Sequence, residues 1–264
     1  MNDQSPPAVT SLTLSRFCAG GAWRLQLPHE RDHHLVVFLA RGQGRCVVNG
    51  RRRGLSTNSV LFVPAHALMS LEIGRQSYGE VVQIPPSAHV AVPTESVLIS
   101  VRTPPALAEL TLTLDALRRE QAEARPHATE ALEAHAALLS IWMRRMLRAE
   151  RSIPRPRDAH ETLAAAYSAM VSRDYRTARG VPELAHDLGV SPQDLSASLE
   201  RTSGLAPEEV LAGRRLHEAR AMLEDGRLPV GLIADMLGFG GAAPFSSFIQ
   251  KHTGALPDAL RGPR

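Results

Sequence analysis

Lysine is nearly missing from this chain: Lys251 is the only one, so arginine carries almost all of the positive charge. That imbalance reads as codon bias from a GC-rich genome, not as function. Aromatic residues make up only 4%, which leaves aliphatic residues and alanine to build the core. Cysteine is limited to Cys18 and Cys46. Both fall on segments that read as strands, without metal-ligand spacing, so small core residues are expected rather than a disulfide or redox pair. No apolar run approaches the roughly 20 residues needed to cross a bilayer. The start, Met1-Asn2-Asp3-Gln4-Ser5-Pro6-Pro7, has neither a basic region nor an apolar stretch, so a cytoplasmic protein is expected. At 264 residues there is length for two modest domains.

From Leu12 to about Val101, short apolar runs broken by Gly, Pro and Asn predict an all-β sandwich or barrel. The expected strands are Ala22–Leu27, Leu35–Ala40, Arg45–Val48, Ser59–Val63, Met69–Ile73, Gly79–Ile84 and Val97–Val101. Asn49-Gly50 is a strong hairpin turn, and Arg51-Arg52-Arg53 after it reads as a solvated run. A closed sheet would have room for a small effector. A carboxylate on that effector would want an arginine in an apolar pocket, which makes Arg24 and Arg45 candidates, with Trp23, Phe38 and Tyr78 as walls. His34 is grouped with them, although a period of two cannot say whether His33 or His34 faces inward. Core packing or a solvated face is the plain alternative for each.

After Pro104-Pro105 the period changes to a helical one over Ala106–Glu123 and Pro126–Arg151. Leu132, Ala136, Leu139, Met143 and Leu147 form a stripe that suits either packing on the chain's own sheet or dimerisation. From Arg144 to Arg157 six arginines meet one acid, Glu150, with Pro154 and Pro156 breaking the helix. A boundary is expected there, followed by a helix over Ala159–Arg173. The expected division is residues 1–104, a helical connector with a basic linker over 105–157, and an all-α part over 158–264.

Within that last part the chain repeats itself. Leu184-Ala185-His186-Asp187-Leu188-Gly189-Val190 is answered by Ile233-Ala234-Asp235-Met236-Leu237-Gly238-Phe239. Leu195 and Leu199 are answered by Phe245 and Ile249, then Gly204 and Pro207 by Gly254 and Pro257. Gly189 and Gly238 lie 49 residues apart and Pro207 and Pro257 lie 50 apart, so one residue has been added to the second turn. Each copy has the parts of a helix-turn-helix: a short apolar helix, a glycine suited to a left-handed exit, and a second helix. Ser191-Pro192-Gln193-Asp194 supplies an N-cap, a proline at the first helical position and an acid three after the cap.

The run Arg214-Arg215-Leu216-His217-Glu218-Ala219-Arg220-Ala221-Met222-Leu223, with Ile233-Ala234, Leu237-Gly238-Phe239, Phe245-Ser246, Gly254, Pro257 and Leu260-Arg261, resembles the arabinose-regulator (AraC/XylS) family of bacterial transcription factors. The resemblance implies a double helix-turn-helix that binds double-stranded DNA, each unit placing one helix in the major groove. It implies that Gln193, Asp194, Ala197, Ser246, Ser247 and Gln250 face the groove, with Ser191, Ser198 and Ala242 among the contacting positions. Arg179, Arg201, Arg214 and Lys251 would reach phosphates.

Pro28-His29-Glu30-Arg31-Asp32, Arg41-Gly42-Gln43-Gly44, Asn49-Gly50 and Val63-Pro64-Ala65-His66 resemble the cupin-like sensor domain of many members. That implies a small-molecule effector in the barrel and homodimerisation, with RNA polymerase as a partner if the protein activates. Cupin enzymes hold a metal through histidines. His29, His33, His34 and His66 do not guarantee three ligands, because Arg31 stands where a second histidine is common. No metal, cofactor or catalytic residue is expected, and the competing readings are a metal-dependent cupin enzyme and a weakly binding antagonist of another regulator. The motive for the latter is charge. Residues 158–264 hold 11 Arg and Lys against 14 Asp and Glu, a formal −3, and adding residues 144–157 brings the balance to +2.

Overall fold

The computed structural model describes residues 8–123, 125–149 and 157–262. The first half is two packed antiparallel sheets. One has five strands in the order β1 (Thr10–Thr13), β7 (Tyr78–Ile84), β2 (His34–Arg41), β5 (Ser59–Val63) and β8 (Val97–Ser100). The other has three, in the order β4 (Arg51–Leu55), β3 (Gly44–Val48) and β6 (Met69–Ile73). Strand β2 reads as an unbroken apolar run because both of its faces are covered. Leu35, Val37 and Leu39 meet Cys46, Val48 and Leu71 of the small sheet. Val36 and Phe38 meet the helices on the other side. Among the described residues no ladder joins the two sheets, so the expected sandwich or barrel is realised as a sandwich, without barrel closure.

Six of the seven expected strands form. Ala22–Leu27 does not: Trp23–Gln26 is a single helical turn, α2, which follows another, α1 (Leu14–Phe17). A five-residue alternation is too short to separate strand from turn. The turn lets Leu25 plug the sandwich interior beside Leu14 and Phe17, while Trp23 and Arg24 point elsewhere. Cys18 is correspondingly the C-cap of α1, not a strand residue. Two strands were not expected. β4 is the arginine run, an edge strand whose hairpin turn has Asn49 at φ 48° and Gly50 at φ 74°. Arg51 pairs with Glu161 of the helical half at 3.2 Å and Arg53 donates to the Ser96 carbonyl at 3.1 Å, so the run is only partly solvated.

Helices α3 (Pro104–Glu123) and α4 (Ala128–Ala149) cover the outer face of the large sheet. Of the expected stripe, Leu132, Ala136, Leu139 and Met143 are buried with Trp142, so it is used within the chain. Trp142 Nε1 donates to the Ala106 carbonyl at 3.2 Å, tying the two helices. Arg151 and Arg155 of the basic linker, with Glu150, Pro154 and Pro156, lie outside the described residues. The second half is helical: α5 (Ala159–Asp174), α6 (Val181–Asp187), α7 (Pro192–Ser203), α8 (Pro207–Asp225), α9 (Val230–Met236) and α10 (Ala242–Thr253). One apolar core runs through all of them and takes in Leu68 from the sandwich side.

Candidate DNA interface and effector cavity

The repeat folds as two matching units. Leu184, Leu195 and Leu199 in the first, and Ile233, Leu237, Phe245 and Ile249 in the second, are all buried in the one core. Leu188 is only partly buried at its edge. Gly189 and Gly238 leave α6 and α9 at φ 70° and 73°, the left-handed exit expected of both. The connection is Leu188–Ser191 in the first unit and Leu237–Gly241 in the second, so the added residue lies in the second turn. Gly241 at φ 130° takes up that extra length. Pro244 falls in the first turn of α10, where its missing N–H costs no helical bond.

Ser191 caps α7 by accepting from the Asp194 amide at 3.1 Å, and its hydroxyl donates to the Asp194 carboxylate at 2.7 Å. Ser191, Gln193, Asp194, Ala197 and Arg201 are exposed along α7. On α10, Ala242, Ser247, Gln250 and Lys251 are exposed, and Ser246 is half-buried. Two expected contacts are corrected. Ser198 is 3% exposed, and its hydroxyl lies 2.8 Å from the Asp194 carbonyl and 2.9 Å from His160 Nδ1, so it faces α5. Arg214 is 6% exposed, with its guanidinium stacked 3.8 Å from the Tyr175 ring and 3.1 Å from Glu218. A phosphate cannot reach it in this arrangement.

Most other cations here are also engaged internally. Arg179 is paired with Asp174 and Asp187, and Arg176 with Glu218. Arg215 donates to the carbonyls of Tyr175, Thr177 and Arg179. Arg201, whose nearest carboxylate is Asp158 at 3.9 Å, and Lys251 remain on the exposed helices.

Residues 184–262 match the family profile described as a helix-turn-helix domain, and residues 15–140 match the AraC-like ligand binding domain. The chain is a DNA-binding transcription regulator of the AraC/XylS type. No curated protein sequence matches it. Among solved structures, the apo form of a ToxT point variant from Vibrio cholerae strain SCE256 is similar at 12% identity, covering 97% of this chain and 98% of that one, with a TM-score of 0.45. Unsaturated fatty acid bound wild-type ToxT from the same strain is 13% identical over 97% of each chain, with a TM-score of 0.45. The C-terminal domain of AraT, a response regulator from Geobacillus stearothermophilus, is 24% identical over 38% of this chain and 82% of its own, with a TM-score of 0.35.

The sensor half of the regulator has a cavity of about 570 Å³, within the usual range for a small ligand. It lies on the outer side of the large sheet, beneath α3, rather than between the sheets, whose interior is filled by side chains. Phe38, Ala40, Leu107 and Leu114 supply apolar walls, and Ser11, Thr13, Arg16, Glu80, Thr111 and Arg118 supply polar groups. Ser11 donates its hydroxyl to the Glu80 carboxylate. Burial raises the Glu80 carboxyl above its ordinary value, an effect the Ser11 hydroxyl opposes. Gln121 of α3 clamps β1, accepting from the Ser11 amide and donating to its carbonyl at 3.0 Å.

Of the six residues expected to form an effector pocket, Phe38 and Tyr78 line this cavity and four do not. Trp23 and Arg24 lie on α2 against α8, where Arg24 pairs with Glu224. Arg45 is exposed and paired with Glu72. His34 stacks on Phe62 at 5.9 Å and accepts from the Ala65 amide at 3.0 Å; burial, then His66 and His33, lower its pKa. The cavity residues of β1 and α3 were missed because β1 carries no clear strand signal. Nothing local in α3 marks Thr111 or Arg118 as facing a sheet. Among the described residues no three His, Cys, Asp or Glu side chains are grouped to hold a metal ion.

Proposed function

We propose that the regulator reads its operator with the exposed faces of α7 and α10, and that a small molecule beneath α3 sets how those faces are presented. The observation that carries this reading is the duplicated frame. It leaves Gln193, Asp194 and Ala197 on one helix, and Ala242, Ser247 and Gln250 on the other, exposed beside a complete apolar core. Glutamine can pair bidentately with adenine and aspartate can accept from cytosine, while serine is permissive. Phosphate contact falls to Arg201, Lys251, the helix N-termini and the basic linker.

In this reading residues 1–104 are a cupin-like sensor, residues 105–157 connect, and residues 158–264 bind DNA. Two chains associate through the sensor and connector helices, where Leu112 and Leu138 are 67% and 54% exposed. The protein works in the cytoplasm, and contacts RNA polymerase if it activates.

Selection of bound sequences from random duplexes at low salt tests it. Gln193→Ala and Gln250→Ala are each expected to relax preference at their own base pairs, at about 1–3 kcal/mol. A uniform loss across all sequences would count against groove reading. With few free cations, log affinity should fall with log salt at a slope of only about −2 to −4 per chain. A slope near −10 overturns the contact set. Absence of binding to any duplex at low salt favours the antagonist reading instead.

A further inference from the structure

A small polar cluster holds the sensor against the helical half. His29, in the loop before β2, and His217, on α8, stack with ring centroids 4.7 Å apart and planes 9° from parallel. His29 is 2% exposed. Its Nδ1 lies 2.9 Å from the Leu27 carbonyl, and its Nε2 lies 3.3 Å from Nε of Arg31. A carbonyl accepts and a guanidinium N–H donates, so this ring is wired as the neutral Nδ1–H tautomer. His217 Nε2 sits 3.2 Å from the Arg24 carbonyl, which makes Nε2 its donor. Its Nδ1 is buried and makes no hydrogen bond. A second proton on His29 would confront the Arg31 donor, and one on His217 would have no acceptor.

The surroundings offer a proton little help. From α2, Trp23 tilts onto His217 at 5.2 Å. The loop before β2 brings Glu30 and Arg31, and β6 contributes backbone through Met69, which pairs with His29. From α8, Arg214 and Glu218 form an ion pair, and Arg220 lies 4.5 Å over the Trp23 ring near Glu224. Tyr175, after α5, takes the Arg214 guanidinium on its face, and Arg176 pairs with Glu218. Glu30 and Arg214 come only to 3.9 Å. Glu30 Oε1, Arg214 Nε, His217 Nδ1 and Arg220 Nε are the buried side-chain atoms left without a hydrogen bond among the described residues, and all four lie here. The contact is closely packed but underbonded.

We propose that this neutral histidine stack is an acid-released clasp between the sensor and the DNA-binding half. Burial, then neighbouring His217, Arg31 and Arg214, push His29 down to about 3. Burial and Arg214 push His217 down to about 4. In the open form each ring loses the burial that is the largest cause of its shift and rises toward its ordinary value of 6.5. The closed form therefore keeps its full strength above that value and loses it as pH falls, because only the open form takes up the protons. At pH 5.5 this favours opening by at most about tenfold per histidine, about a hundredfold at most for the pair.

The clasp stands apart from the DNA-contact reading, so the test measures opening directly. Full-length protein is followed by small-angle scattering and tryptic cleavage from pH 7.5 to 5.5, beside the His29→Gln/His217→Gln variant. Glutamine keeps a donor and an acceptor but does not titrate. Normalised to the variant at each pH, wild-type cleavage between the halves should rise tens of fold and the scattering radius should grow. An unchanged ratio overturns the clasp. If the variant does not fold, imidazole ¹⁵N spectra of the wild type replace it. They should show Nδ1–H at His29 and Nε2–H at His217 at neutral pH, with protonation accompanying the growth in radius. Rings that titrate near 6.5 at constant radius overturn it equally.

Discussion

Phe245→Ala is expected to destabilise the helical half by about 3–5 kcal/mol, since it removes a fully buried aromatic side chain and leaves a cavity. Phe245 is 0% exposed and meets the Phe239 ring edge-on at 5.3 Å, with Phe248 also packed against Phe239 at 5.0 Å. With aromatics only 4% of the chain, neighbouring aliphatic side chains cannot refill that volume without moving α9 or α10. The sandwich cores do not include Phe245. Urea unfolding followed by far-ultraviolet dichroism should therefore show the helical transition moving to lower urea, with sequence preference lost at the second half of the operator. Wild-type unfolding together with lost DNA binding would mean that Phe245 acts at the DNA surface and not in the frame.

Gly238→Ala should be far more damaging than Gly189→Ala, although the two glycines hold equivalent places in the repeat. Both have φ near 70°, so alanine carries the left-handed cost of about 1 kcal/mol or more at either site. A Cβ on Gly189 would meet nothing within 4 Å, whereas one on Gly238 would lie 2.5 Å from the Thr177 carbonyl carbon and 2.7 Å from the Arg176 carbonyl oxygen. Backbone cannot step aside as a flexible side chain can. Overpacking adds roughly 1–3 kcal/mol to the second site alone. Thermal unfolding of the two variants provides the comparison. Equal losses would mean that the segment after α5 yields freely to the turn of the second unit.

The helical half was largely readable in the residues, because its information is local and written twice. Gly189 with Gly238, and Leu195 and Leu199 with Phe245 and Ile249, place turns and core without reference to any distant part of the chain. The sandwich was readable where a strand is covered on both faces, as at Leu35–Leu39, and failed where the segment was short or charged. Trp23–Gln26 alternates like a strand yet turns as a helix. Arg51–Arg53 reads as solvated, yet it pairs with β3 and turns Arg51 onto Glu161 and Arg53 onto the Ser96 carbonyl, partners far away in the sequence.

The sites were less readable than the elements that carry them. Ser198 and Arg214 are DNA contacts only in the expectation drawn from the family resemblance, and packing against α5 and Tyr175 removes them from the surface. The cavity draws on Ser11, Glu80 and Arg118, which lie far apart in sequence, so no local pattern could gather them. The sequence by itself determined the doubled helix-turn-helix, the β-rich sensor and the shortage of cations on the reading helices, since periodicity, turn residues and charge are properties of neighbours along the chain. The tertiary structure alone decided that the cavity lies outside the sandwich and that His29 meets His217. Both depend on how separately specified surfaces are pressed together, and burial creates their chemistry.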